Sequence, residues 1–428
     1  MKIARGVSIA HLLLFISVAH VSGQHQHTMA MDTVLPSMER MGSGTTWIPD
    51  AVALPSATGE YGRWSLMGHG MLFAQYDRQS GPRGAEQFDL LNWGMLMASR
   101  PLAGGRLQLR TMLSLDPATS RDGGYPLLLQ SGETFEGEAL HDRQHPHDFW
   151  MELGALYERA FTPDLALSLY GAPSGEPALG PVAFMHRPSA VDDPMAPLSH
   201  HWQDATHITF GVVTAGVFGK RWKIEASAFN GLEPDEDRWD FDRLRLNSFS
   251  GRLTLNPAAE WSITLGYGAL EEPEILHPGD VQRIVASVLY GRRFRDAGQL
   301  AMSAVWGANR HTGASFTHSG LLEAELIVDD RNTVFGRAEI VQKSGEDLVL
   351  DDTQHDELFN VGAVSAGYIR DILAGAGMTT GIGVRATLNL LPSSLEATYG
   401  STTPTGLVVF LRLRPTLKPP MQHMMEMN

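Results

Sequence analysis

Residues Arg106 to Asp116 read RLQLRTMLSLD, and the spacing within this stretch decides the fold. Leu107, Leu109, Leu113 and Leu115 share one parity, while Arg106, Gln108, Arg110, Ser114 and Asp116 share the other. Successive side chains of an extended chain point to opposite faces, so such a strand has one apolar and one polar face. A helix would repeat its apolar positions every three or four residues, and that period is nowhere sustained. The same alternation recurs in Trp64–Asp77, Phe149–Tyr157, Thr206–Phe218, Trp222–Asn230, Phe249–Leu255 and Trp261–Ala269. It continues through Ile284–Tyr290, Leu300–Trp306, Leu322–Val328, Val334–Ile340, Phe359–Ile369, Ile382–Leu390 and Leu407–Leu413. With Gln87–Ser99 and Leu165–Gly171 added, the sequence predicts about sixteen strands, most of them about ten residues long, the length of a tilted membrane-crossing strand. Merging two weaker segments would give about fourteen, and an even number is expected of a closed antiparallel barrel.

The connections alternate in length. Arg100–Gly105, Phe161–Asp164, Gly219–Arg221, Asn256–Glu260 and Asp329–Asn332 are short and contain Pro, Gly or Asn. Pro117–Asp148, Ala172–Ala205, Leu232–Asn247, Glu271–Val281, Ser344–Glu357 and Leu391–Thr405 are long and polar. Tight turns at one rim and long loops at the other are the arrangement of outer-membrane barrels. An exported β-sandwich would alternate too, but its interior is apolar. Here the polar parity carries Arg106, Arg110, Glu152, Glu158, Lys223, Glu225, Arg252, Glu323, Glu325, Arg337, Glu339 and Arg385, which suit a wet lumen. Trp64, Tyr76, Tyr157, Trp222, Trp261, Tyr267, Tyr290 and Trp306 stand near strand ends, where an interfacial girdle is expected.

Composition narrows the partners. The formal net charge is −15 and cysteine is absent from all 428 residues. Acidity argues against nucleic acid, and the missing thiols exclude disulfides and thiolate metal sites. Lys2 and Arg5, the apolar run Val7–Val18 and the small residues Val21-Ser22-Gly23 predict a signal peptide over 1–23. No long apolar helix follows. The expected organisation is then an irregular segment over 24–61 that enters the lumen, a barrel over 62–414 and a tail over 415–428. Outer-membrane lipid is the expected surroundings and small ions or solutes the expected partners.

Polar chemistry concentrates between His141 and His207, which holds seven of the 17 histidines. Imidazole and carboxylate donors suit borderline divalent metals such as Zn or Cu. The candidate ligands are His141, Asp142, His145, His147, Asp148, His186, His200, His201, Asp204 and His207. No spacing there matches a sharp zinc signature, so histidines and aspartates that merely brace two loops are the competing reading. Both loops precede strands returning from the same rim, so their ends should meet at the barrel mouth, above lumenal Arg106, Arg110, Glu152 and Glu158. A second donor type lies at the chain ends: His25 and His27 with Met29 and Met31, then Met421, His423, Met424, Met425 and Met427. Thioether and imidazole together favour Cu(I). Ser199 with His200 or His201 and Asp204 has the composition of a hydrolase triad, yet no G-x-S-x-G stretch surrounds it and an enzyme is not expected. The acidic run Glu233–Asp242 lacks the pattern of a calcium loop and is read as a solvated outer loop.

Three blocks, DRQHPHDFWMEL (Asp142–Leu153), GEPALGPVAFMHRPSA (Gly175–Ala190) and HHWQDATHITFGVVTAG (His200–Gly216), resemble a group of Gram-negative outer-membrane barrel proteins that often accompany copper or other heavy-metal resistance systems. The resemblance implies a metal-related setting. The combined expectation is a passive outer-membrane pore for a small solute or metal cation, with a non-transporting metal-binding barrel as the alternative.

Overall fold

The computed structural model describes residues 34–121, 123–294 and 298–417. The signal segment and both Met/His tails, with His25, His27, Met421, His423, Met424, Met425 and Met427, lie outside the described residues.

The chain enters through β1 (Ala57–Tyr61), which turns at Gly62 and pairs with the start of β2 (Trp64–Gln79). Gly62 has φ +60°, a conformation that glycine adopts without the strain a Cβ brings. β1 corrects the expectation of an irregular segment up to residue 61: four of its five residues are exposed, so burial imposes no parity that the sequence could display. β3 (Glu86–Leu102) and β4 (Gly105–Leu113) follow, and then β5 (Tyr125–Phe135) and β6 (Glu138–Gln144) form a separate hairpin. The wall resumes with β7 (Trp150–Thr162), β8 (Leu165–Gly175), β9 (Thr209–Phe218), β10 (Trp222–Phe229), β11 (Ser248–Leu255) and β12 (Trp261–Leu270). It ends with β13 (Val281–Phe294), β14 (Gly298–His311), β15 (Thr317–Ile327), β16 (Asn332–Ser344), β17 (Leu358–Gly375), β18 (Met378–Leu390) and β19 (Thr405–Pro415). β19 pairs antiparallel with β2 and closes a 16-stranded antiparallel barrel.

The two parities separate as the alternation requires. Along β12, Trp261, Ile263, Leu265 and Tyr267 are exposed and Ser262 and Thr264 are buried. Leu169, Leu322, Ile340, Val364, Ile382, Val409 and Leu411 extend this exposed aliphatic face around the barrel. A single apolar outer band of this kind is what lipid requires, and the protein is an outer-membrane β-barrel. Trp64, Trp222 and Trp261 each open a strand at the short-turn rim, and Tyr290 faces Trp261 across the ladder.

The lumen is filled. From the short-turn side, residues 41–53 cross it, and the wall holds their backbone. Arg110 donates to Gly42 O (3.3 Å), Asn256 to Ile48 O (3.1 Å), Ser262 to Trp47 O (2.9 Å), and Arg252 to the Thr45 hydroxyl (2.7 Å). From the long-loop side come the β5–β6 hairpin and the segment 176–207, which is almost wholly buried. That segment is clamped by ion pairs: Asp192 to Arg412 (2.7 Å), Asp193 to Arg385 (3.0 Å) and Arg337 (3.5 Å), and Arg187 to Glu323. The lumenal charges therefore neutralise the plug instead of facing water, which corrects the expectation of a wet lumen at Arg252, Glu323, Arg337 and Arg385. Glycines let the plug lie directly on the wall. A Cβ on Gly266 would stand 1.9 Å from Leu179 O, and one on Gly307 would stand 2.2 Å from Trp202 O.

Candidate functional site

At the end of the β5–β6 hairpin and in the helical turn His200–Gln203, three imidazoles converge. His145, His200 and His201 are buried, and each offers one ring nitrogen within 4.8 Å of the others. The two loops reach one height because each returns to the rim immediately before its next strand, β7 or β9. Gly132, at φ +114°, admits the His201 ring, whose atoms lie 2.3–2.4 Å from where a Cβ would be.

Each ring is held from behind. The Nδ1 of His200 meets Asp204 Oδ1 (2.7 Å), that of His201 meets Glu233 Oε1 (3.3 Å), and that of His145 meets Pro146 O (3.2 Å). These partners are oxygen acceptors, so a neutral ring carries its proton on Nδ1 and leaves the Nε2 lone pair free. His147 and His207 follow suit, through Asp116 Oδ2 and Asp204 O, both at 2.8 Å. In His145, His147, His201 and His207 the remaining Nε2 is buried with no hydrogen-bond partner. Buried polar atoms are nearly always paired, so several orphaned lone pairs in one cluster call for an explanation. Imidazoles oriented by acceptors on the far nitrogen are the arrangement that metal ligands adopt.

Burial sets the charge. It pushes the His145 and His200 pKa values down, that of His201 to about 4 and that of His207 to about 3, so the rings are neutral ligands at neutral pH. Burial acts against ionisation of Asp204 as well, but the His200 contact and hydrogen bond together with the Arg187 charge outweigh it and hold the carboxyl at about 2. Burial raises Glu133, against the attraction of Arg238, to about 8, and its Oε1 lies 3.2 Å from His145 Nε2 without hydrogen-bond alignment.

The other sequence candidates lie elsewhere. His141 is half-buried beside Asp142 (2.9 Å), and Asp142 also takes Arg83 (3.1 Å) and the Leu129 amide (2.7 Å), so this pair anchors the hairpin. Asp148 is tied to Arg238 (3.3 Å). Asp204 orients His200 rather than joining the trio. His147 and His207 pack beside it, with the His207 ring 5.1 Å from that of His200. His186 is separate, against His69. Arg106 bonds Glu158 (3.1 Å) and Arg110 bonds Glu152 (2.8 Å), as cross-strand pairs between β4 and β7. The Ser199 hydroxyl donates to Glu339 (3.1 Å).

Sequence reasoning missed the shell. Glu233 and Arg238 fold inwards to the cluster, correcting the solvated-loop reading of Glu233–Asp242 at these two positions, while Asp235, Glu236, Asp237, Trp239, Asp240 and Phe241 stay exposed as an outer loop. Nothing local marks an inward Glu. His69 was also missed, although its setting Met67-Gly68-His69-Gly70-Met71 puts Met, His and Met on one face of a strand.

No protein-family model matches the sequence, and no curated protein matches it. Solved structures do. OmpF of Salmonella typhi, in complex with daunomycin, matches with a TM-score of 0.50 at 10% identity, covering 84% of this chain and 100% of that one. An anion-selective porin from Comamonas acidovorans has a TM-score of 0.48 at 11% identity, covering 83% and 100%. The likeness is one of fold, the porin-like outer-membrane barrel.

Proposed function

We propose that this barrel is an outer-membrane passage for a small solute or metal cation, held closed by its own lumenal segments, with a borderline divalent ion as the ligand of His145, His200 and His201. The observation that carries the proposal is the trio itself: three buried imidazoles within 4.8 Å, their Nδ1 atoms fixed by acceptors. Neutral imidazole is the donor that Zn(II) and Cu(II) share, and the ionised Asp204 behind His200 offsets a positive charge. Rings already neutral and oriented bind without reorganisation. A copper or heavy-metal role is the setting such a site fits.

The ion is cargo in this reading. Its capture at the long-loop end, which faces outward in such barrels, would draw on the same residues that brace the plug: Asp204 both orients His200 and approaches Arg187 (3.5 Å), which holds the segment to Glu323. Binding at the trio and docking of the plug are thereby joined through one carboxylate.

The test is calorimetric titration of Zn(II) and Cu(II) into the detergent-folded protein, with planar-bilayer recording on the same samples. Wild type takes up one ion that a His145→Ala/His201→Ala variant does not, and the ion raises the frequency of conductance steps. Equal binding by the variant refutes the site. A second reading, a barrel that binds metal without passing it, is favoured by the filled lumen; binding with no conductance steps would select it.

A further inference from the structure

The lumen carries another donor cluster, on the wall rather than in the loops, and it stands independently of the reading of the trio. In the sheet register His69 of β2 faces Met95 of β3, Met95 faces Met112 of β4, and Met112 faces Glu152 of β7. Directly opposed residues of neighbouring strands share a face. His69, Met95 and Met112 therefore form one row on the lumen side, and all three are buried. His186 of the plug closes on this row. Its Nε2 is 3.3 Å from Met112 Sδ, His69 Nε2 is 3.1 Å from Met95 Sδ, and the two imidazole rings are 5.1 Å apart. Trp93 walls the cluster, its ring 4.7 Å from His186 and 5.6 Å from His69.

Packing alone does not account for this row. The remaining nitrogen of both rings, Nδ1, is buried with no partner, and thioether sulfur is a weak acceptor for Nε2. Each Nε2 therefore has only a thioether as its neighbour, which leaves nitrogen and sulfur lone pairs facing one another. Beside them a cavity of about 10 Å³, lined by Met112, Met151, Glu152, Glu176, His186 and His207, has room for about one small particle. With bonds as short as those of zinc, about 2.0 Å to nitrogen and 2.3 Å to sulfur, a tetrahedral ion would separate those donors by roughly 3.5 Å, a few tenths of an ångström more than the two gaps present, and a larger soft ion would widen them further.

We propose that His69, Met95, Met112 and His186 form a second metal site, specific for a soft monovalent cation of the Cu(I) or Ag(I) class. Thioether donors select soft ions over Zn(II) and other borderline ions. The donor set is neutral, and its carboxylate neighbour Glu152 is already engaged by Arg110 (2.8 Å) and the Tyr170 hydroxyl (2.8 Å). The trio, by contrast, has the Asp204 carboxylate behind His200, so the two sites divide ions by charge and softness.

Silver(I), which is redox-inert, is the probe. The detergent-folded full chain is equilibrated with Ag(I), and metal per chain is counted by mass spectrometry in wild type, in Met95→Leu/Met112→Leu and in the His145→Ala/His201→Ala variant. Met→Leu conserves volume, so the wall stays packed. The expected result is one silver fewer per chain in the Met variant, with zinc binding unchanged, and the full silver count in the His variant. Anomalous diffraction from silver-soaked wild-type crystals, which involves no variant, should place a peak among the four donors. Equal counts in wild type and the Met variant, loss of the same silver in the His variant, or no peak at that position would each overturn the proposal.

Discussion

Replacing Arg187 with alanine should open the barrel. The Arg187 side chain is fully buried, and its guanidinium joins the plug to the wall through Glu323 of β15. Within the plug it also reaches Val182 O (3.2 Å) and Asp204 (3.5 Å). Removing one partner of a buried pair costs about 3–5 kcal/mol because the other charge stays behind uncompensated. Glu323 keeps Arg337 (3.1 Å) and Ser189 (2.9 Å), and Asp204 keeps His200 (2.7 Å), so the lower end of about 3 kcal/mol applies. The Glu323 contact spans plug and wall, so most of that loss falls on the docked plug and shifts the closed-to-open ratio by roughly 10²-fold. Single-channel recording in planar bilayers reads it directly: the variant should show open events about a hundred times as often as wild type at equal insertion. The heat-dependent gel mobility of an intact barrel should persist. A folded Arg187→Ala barrel as silent as wild type would refute the view that this ion pair holds the lumen shut.

Other consequences follow from the same contacts. Zinc at a hundredfold excess over its dissociation constant should stabilise wild type by about 2.7 kcal/mol, seen as a raised melting temperature, and leave His145→Ala/His201→Ala unmoved. Gly266→Ala places a Cβ 1.9 Å from Leu179 O, so the plug backbone must yield at a cost of about 1–3 kcal/mol. Faster proteolysis within 176–183 would report this, and an unchanged rate would contradict it. His277 bridges two outer loops, bonding Glu274 (2.8 Å) and lying 3.1 Å from Glu346. The Glu274 hydrogen bond raises its pKa to about 9 against the effect of burial, with Glu346 and Asp347 adding to the rise. A raised pKa means that this clamp is complete below the unfolded value near 6.5 and is lost as pH climbs through about 9. Loop cleavage should therefore accelerate between pH 7 and 10 in wild type and not in His277→Gln.

The barrel was legible because each wall strand faces lipid on one side only, and a period of two survives any choice of loop. Leu107, Leu109, Trp261 and Leu265 announce that face with no knowledge of neighbours. The hairpin β5–β6 escaped because Tyr125–Ser131 is buried on both faces and so reads as no pattern at all. The plug escaped for another reason. Lumenal charges such as Arg252 and Arg337 look the same whether water or Thr45 and Met195 accept their bonds, and those acceptors lie far away in sequence. Donor types at the long-loop rim could be read from composition, but their grouping could not. His145 and His201 meet while His141 and Asp148 turn to Asp142 and Arg238, a choice made by backbone geometry at residues such as Gly132 and Asp142, both at positive φ. His69 hid within a methionine-rich strand whose alternation reads first as ordinary core.

Zinc-edge anomalous diffraction from zinc-soaked crystals of the wild-type barrel would locate the ion itself. One peak is expected, enclosed by His145, His200 and His201 and about 2.0–2.1 Å from their Nε2 atoms. A map with no peak there, or with zinc only at the outer-loop Asp235, Asp240 and Asp242, would refute the site.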